Sequence, residues 1–217
     1  RLIVLGGGPI GCELAQAFAR LGSKVTLVEA APRLLTREDP EVSALLQERF
    51  AAEGIDVRTG CEVLRASATP GGRGLHVRQG EQEVALPFDV LLLALGRVAN
   101  TEGYGLEALD IGTSETRAIA TDAFLQTRYP NIYACGDVAG PYQFTHVASH
   151  QAWYATVNAL FGSLRRFRAD YRVVPWATFT DPQVARVGLS EEEARRAGTA
   201  YTASSYRLDD LDRAIAD

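Results

Sequence analysis

The stretch Leu2-Ile3-Val4-Leu5-Gly6-Gly7-Gly8-Pro9-Ile10-Gly11-Cys12-Glu13-Leu14 decides the fold. Its four leading apolar residues read as a fully buried strand, and the glycines Gly6, Gly8 and Gly11 form a G-x-G-x-x-G pattern at the start of a helix. Pro9 suits the first helical turn, and Gly22 suits the stop. Ile10, Leu14, Phe18 and Leu21 are the apolar positions from Pro9 to Leu21, and they recur at helical spacing. A second buried strand, Val25 to Val28, ends at Glu29, 23 positions after Gly6. Strand, glycine turn, helix, strand and terminal acid within about 30 residues describe a β-α-β unit that binds a dinucleotide.

Each part of that unit has a physical task. Gly6 permits the tight turn, Gly8 lets a pyrophosphate approach the backbone, and Gly11 lets the helix pack closely on the strand. Gly7, Pro9 and Ile10 complete the loop and first turn, whose N–H groups face the phosphates. Glu29 can accept hydrogen bonds from both hydroxyls of the adenosine ribose. It also repels a 2′-phosphate, by roughly 4 kcal/mol at about 4 Å and an effective dielectric of 20. NAD is therefore expected in preference to NADP, with Arg33 as a nearby base that could accommodate a 2′-phosphate.

Working outward, Asp39-Pro40 opens a second helix with Val42, Leu45, Leu46 and Phe50 on one face and Gly54 closing it. Ile55 to Thr59 reads as a strand. Cys61 to Ala66, Leu75 to Arg78 and Glu83 to Leu86 read as a meander, with Thr69-Pro70-Gly71-Gly72 as a turn. Val90 to Ala94 is predicted as a buried strand, Asn131 to Cys135 as another, and Thr145 to Phe161 as a helix. Ser163 to Arg172 reads as a polar connector, followed by strand, helix, strand. Ser190 and Glu193 form a capping box that starts a short helix, and Gly198 ends it.

Composition bounds the rest. The chain has 217 residues, 47% hydrophobic and 23% charged, which is ordinary globular composition. A net charge of −5 argues against a nucleic-acid partner. No apolar run approaches the roughly 18 residues of a membrane span, and no signal peptide is visible, so a cytoplasmic location without membrane contact is expected. Cys12, Cys61 and Cys135 are too far apart in sequence for a disulfide framework, a Cys-x-x-Cys zinc site or a closely spaced redox pair, and no metal site is expected. Cys135 is expected at a buried strand end. His76 and His150 read as ordinary surface or boundary histidines. The chain holds no Met and opens on Arg1, and Leu208 to Asp217 carry no Gly or Pro stop. It therefore reads as a piece of a longer protein.

Several motifs, taken in order, resemble the class I pyridine nucleotide-disulfide oxidoreductases, the group of dihydrolipoamide dehydrogenase, mercuric reductase and glutathione reductase. They are Gly6 to Glu13, Leu95-Gly96-Arg97 with Asn100, and Pro130 to Asp137. Phe144 to Ala148, Phe179 to Pro182 and Val187-Gly188-Leu189 complete the series. The resemblance implies an α/β chain in three parts. Residues 1–95 are a Rossmann-like NAD-binding domain with a β-meander. Residues 96–168 are the returning part of an FAD-binding domain of the same type. Residues 171–217 begin an α+β interface domain of a homodimer.

The resemblance also implies site roles. Asp137 hydrogen-bonds the ribityl chain of FAD, and Gln143, Phe144, Thr145 and His146 surround the isoalloxazine, with helix-start N–H groups stabilising the reduced flavin. Glu13 supports the nicotinamide end by pairing with a lysine upstream. Val63 contacts the adenosine, and Gly96 lets the dinucleotide pass. Ala99 and Gln183 stand where the family often has proline and glutamate. The redox Cys-x-x-x-x-Cys and the first FAD glycine motif are absent, as upstream features, and so is the downstream His-Glu pair. The implied activity is hydride transfer between NAD(H) and FAD, with a small-molecule or protein disulfide, a dithiol or a metal ion as acceptor. The 217 residues alone are expected to be inactive. A flavin NADH oxidase or transhydrogenase without a redox disulfide, or a non-catalytic dinucleotide-binding module, are the alternative readings.

Overall fold

A computed structural model describes residues 1–70, 72–207 and 211. The chain divides into two compact units, Arg1–Ala94 together with the segment from Trp176 onward, and Leu95–Pro175.

The first unit is built on a parallel sheet. β1 (Leu2–Leu5), β2 (Val25–Val28) and β3 (Asp56–Arg58) are the first three strands, and α1 (Pro9–Arg20) and α2 (Pro40–Ala52) connect them. The antiparallel meander β4 (Cys61–Thr69), β5 (Gly72–Gln79) and β6 (Gln82–Phe88) precedes β7 (Val90–Leu93). The parallel order is β3-β2-β1-β7, with Leu2 level with Val25 on one side and Val90 on the other. Alternation along β1 explains the layers. Leu2 and Val4 point to the helices, where Leu27, Leu34, Leu46 and Phe50 bury with them. Ile3 and Leu5 point the other way, into a second core with Cys61, Leu75, Val77, Leu86 and Phe88 of the meander. The sheet lies between helices and meander, which is why β1 is buried on both faces.

The helix expected from Pro9 forms as α1, but its apolar positions are not its buried face, and two expectations need correction here. Gly11, Cys12, Ala15 and Gln16 are buried, while Ile10 is 47% and Leu21 80% exposed. Close approach to the sheet selects the small side chains. On α2, Ser43, Leu46 and Phe50 are buried, and Leu45 faces outward. β7 is the edge of the sheet rather than a buried strand, so Val90 and Leu93 are exposed.

The segment from Trp176 runs β8 (Pro175–Thr178), β9 (Val184–Val187) and α4 (Glu191–Arg196), so the order is strand, strand, helix. Ser190 and Glu193 form the expected capping box, and Gly198 sits at φ +65° beyond the helix. Val184 packs on the helix-side core of the first unit. The expectations for Leu208–Asp210 and for 212–217 lie outside the described residues, as does Gly71 in the meander turn.

The second unit centres on α3 (Thr145–Phe161), with single helical turns at Glu107–Leu109 and Gly136–Val138. Asn131 to Cys135 is not a strand. It makes one bridge, Tyr133 to Gln126, and finds no ladder partner among the described residues. Cys135 is accordingly exposed rather than buried. The unit is ordered instead by amides on α3. The fully buried Gln151 accepts from the Gly136 N–H at 2.6 Å and donates to the Gly140 carbonyl and the Tyr171 hydroxyl. Asn158 accepts from the Phe167 N–H and donates to the Phe124 carbonyl.

Candidate dinucleotide-binding site

The glycines between β1 and α1 have separate reasons. Gly6 stands at φ +106°, a conformation that excludes most side chains. A Cβ on Gly11 would lie 1.8 Å from the Gly6 carbonyl oxygen, and one on Gly7 would lie 2.5 Å from the Leu34 side chain. Gly8 is different. Its φ of −75° suits any residue, and a Cβ there meets no protein atom within 4 Å. Neither backbone nor packing asks for glycine at this position. It is the N-cap of α1 and offers no side chain to the first-turn N–H groups. A bare, open backbone at a helix N-terminus is the cradle a pyrophosphate requires. Pro9 and Ile10 are exposed on the same turn.

Glu29 stands at the carboxyl end of β2, where ligands of open parallel sheets bind. Its carboxylate is fixed by two backbone donors, the Gly7 N–H at 2.5 Å and the Ala31 N–H at 2.7 Å. Its own carbonyl accepts from the Cys61 N–H, which joins the start of β4 to the same corner. Val63, two residues further, is half-exposed where the β4–β5 register shifts between Val63 and Arg65. Glu13, in the second turn of α1, accepts from the Phe179 N–H at 2.8 Å. Beneath the loop, the buried Cys12 thiol donates to the Gly7 carbonyl. Burial, reinforced by the charges of Glu29 and Glu13, pushes that thiol up to about 12, so it stays protonated. Burial also raises Cys61.

Gly6, Gly7, Gly8, Pro9, Ile10, Gly11, Glu13, Glu29 and Val63 all belong to the first unit. Gly96, at φ +106° with open space beside it, belongs to the second. There Asp137 is exposed on the turn Gly136–Val138, whose Gly136 N–H is held by Gln151. Phe144 is the N-cap of α3, and Thr145 is its first residue. Gln143 is half-buried, and His146 is exposed with its ring stacked on Phe144 at 5.3 Å. His76 bridges Ser67 and Glu83 across the meander, and His150 meets the Asp170 carbonyl. Among the described residues no cluster of His, Cys, Asp or Glu could hold a metal ion, and no helix is long and apolar enough to cross a membrane.

Sequence reasoning passed over Gln16, Gln151 and Asn158, which fix the loops around these sites. A signal existed on α3, because Gln151 and Asn158 share a helical face with Val147 and Ala155, and all four are buried.

The first unit thus has the fold and the glycine loop of a dinucleotide-binding α/β protein. Residues 1–152 match the pyridine nucleotide-disulphide oxidoreductase family, and residues 174–217 match that family's dimerisation domain. The chain belongs to the pyridine nucleotide-disulphide oxidoreductase family. It is 40% identical over 217 residues to a mercuric reductase of Streptomyces lividans, covering 99% of this chain and 44% of that protein. It is 39% identical over 219 residues to a dihydrolipoyl dehydrogenase of Thermus scotoductus, covering 99% of this chain and 46% of that one. Among solved structures, the HOCl-induced flavoprotein disulfide reductase RclA of Escherichia coli superposes with a TM-score of 0.82 at 33% identity. LpdA of Mycobacterium tuberculosis superposes with a TM-score of 0.87 at 27% identity. Each structural match covers 99% of this chain, and 48% and 46% of the respective relative. The chain therefore spans less than half the length of these relatives.

Proposed function

We propose that these residues form the NAD-binding part and the returning FAD-binding part of a flavoprotein that passes hydride between NAD(H) and FAD. The acceptor class is a disulfide, a dithiol or a metal ion, as the relatives' names suggest, and the intact protein is a homodimer through the region that begins near residue 174. The supporting observation is Gly8, a glycine that its own protein does not require, at the open N-terminus of α1.

In this reading Gly6 to Gly11 hold the pyrophosphate on backbone N–H groups, and the helix dipole favours its charge. Glu29, already locked by Gly7 and Ala31, presents its remaining lone pairs to the adenosine ribose and disfavours a 2′-phosphate. Val63, half-exposed beside the same corner of the first unit, contacts the adenosine. Glu13, oriented by Phe179, stands one turn further along α1 toward the nicotinamide end. On the second unit Asp137 offers an exposed carboxylate to a ribityl hydroxyl, and Gln143 to His146 lead into the α3 N-terminus, whose N–H groups stabilise negative charge. Bound FAD supplies the redox chemistry, while the protein places and polarises it. Titration of the chain with NADH, followed by nicotinamide fluorescence, tests the reading. Saturable binding that is lost in Gly8→Ala supports it, and absence of binding by the folded chain overturns it.

A further inference from the structure

The irregular segment after β2 folds back along the glycine loop. The Leu35 N–H donates to the Gly7 carbonyl, and the Leu34 side chain covers Gly7. Arg33 sits in the middle of this segment, four residues beyond Glu29 in sequence and next to Leu34, whose side chain covers Gly7. A guanidinium there is the group that would offset Glu29 and accept a 2′-phosphate.

Its fork is already filled. One terminal nitrogen donates to the Glu38 carbonyl at 2.5 Å and the Ser43 hydroxyl at 3.2 Å. The other donates to the Thr36 carbonyl at 3.1 Å and to the Glu192 carboxylate at 3.0 Å. Ser43 is buried and held in place by the Leu34 carbonyl. Glu192 belongs to α4, about 160 residues away in sequence. α4 is itself anchored, because Asp39 accepts from the Glu191 and Glu192 N–H groups, and Arg196 shares the Glu192 carboxylate.

We propose that Glu192 is a specificity-determining residue: it withholds Arg33 from the adenosine end, so that Glu29 faces a bound nucleotide without a compensating cation. NAD preference then has two parts, a carboxylate that repels the 2′-phosphate and a second carboxylate that occupies the arginine able to receive it. The inference rests on the dinucleotide reading above.

The test is NADH and NADPH titration of the 217-residue chain carrying Glu192→Gln with Ser43→Ala. Gln keeps the size of Glu192, and unchanged NADH affinity reports that the site is folded. The expected result is NADPH binding tightened by ~5-fold or more with NADH altered less than ~2-fold, since one ion pair near the surface is exchanged for another. Adding Arg33→Ala should abolish the gain. Unchanged NADPH affinity, or a gain that survives Arg33→Ala, overturns the role of Glu192 while NADH binding leaves the dinucleotide reading intact. A folded wild-type chain that binds neither nucleotide overturns both.

Discussion

Gln16 and Asp181 exchange two hydrogen bonds. The Gln16 amide donates to the Asp181 carbonyl at 2.8 Å, and the Asp181 N–H donates to the Gln16 amide oxygen at 2.7 Å. The side chain behaves as a strand of one residue. Glu13 and Arg20 on the same face of α1 add bonds to the Phe179 N–H and the Asp181 carboxylate. The nucleotide helix therefore holds residues 179–181 by a polar stripe, and its apolar stripe faces outward. Gln16→Leu keeps the volume but leaves two backbone groups of Asp181 without their partner, while Glu53 loses one donor and keeps Arg20 and Arg49. It should cost about 2 kcal/mol in urea denaturation and open the 179–182 loop to proteolysis.

The glycine loop makes a paired prediction. Gly8→Ala places its methyl in open space at a permitted φ, so stability should hold or rise by up to ~1 kcal/mol while NADH affinity falls at least ~10-fold. Gly11→Ala drives a methyl into the Gly6 carbonyl. It should lower stability by about 2 kcal/mol as well as affinity. Thermal melts and NADH titration of both variants check the split. Equal effects of the two substitutions on stability would show that Gly8 is a packing glycine.

The contrast between those glycines also shows what the sequence could carry. Period and punctuation located β1, α1, β2 and α3, because strand runs, Pro9, Gly22 and the fourfold spacing are local signals. Burial direction on α1 was not local. Leu14 and Phe18 look like core, but the sheet admits only Gly11, Cys12 and Ala15 at that distance. Asn131 to Cys135 has strand composition, and a strand also needs a neighbour, which no local pattern reports. Gln16 reads as a surface polar residue until its partner, 165 positions on, is known.

A second polar cluster should dominate the stability of the first unit. Arg186 lies over the Trp176 ring at 4.3 Å, pairs with Glu193, contacts Glu38 at 3.6 Å and donates to the Arg37 carbonyl at 2.6 Å. Trp176 donates to Glu38 at 2.9 Å. The Arg186 and Glu38 side chains are only 10% and 8% exposed. Arg186→Met removes the charge and keeps the stem, leaving two carboxylates without their cation. It should cost about 3 kcal/mol or more, and Trp176 fluorescence should shift to the red. Lysine should rescue only in part, because it lacks the planar fork. A loss under 1 kcal/mol would show that the cluster is solvated.

Cys12 makes the chain sensitive to alkali. Its thiol is raised from an ordinary 9.0 to about 12 by burial beneath the glycine loop. Between those values the unfolded chain has released the proton and the folded chain still holds it. Stability from this group is therefore complete below pH 9 and falls through the window above it, by up to about 1.4 kcal/mol per pH unit. Cys12→Ala should flatten that part of the profile in urea denaturation between pH 8.5 and 10.5, with other titrations common to both proteins. The same burial predicts that an aromatic disulfide reagent at neutral pH labels the exposed Cys135 quickly, and reaches Cys12 and Cys61 only on unfolding. Rapid labelling of Cys12 in the folded chain, or an unchanged alkaline slope in Cys12→Ala, would place the thiol in solvent and remove it from beneath the loop.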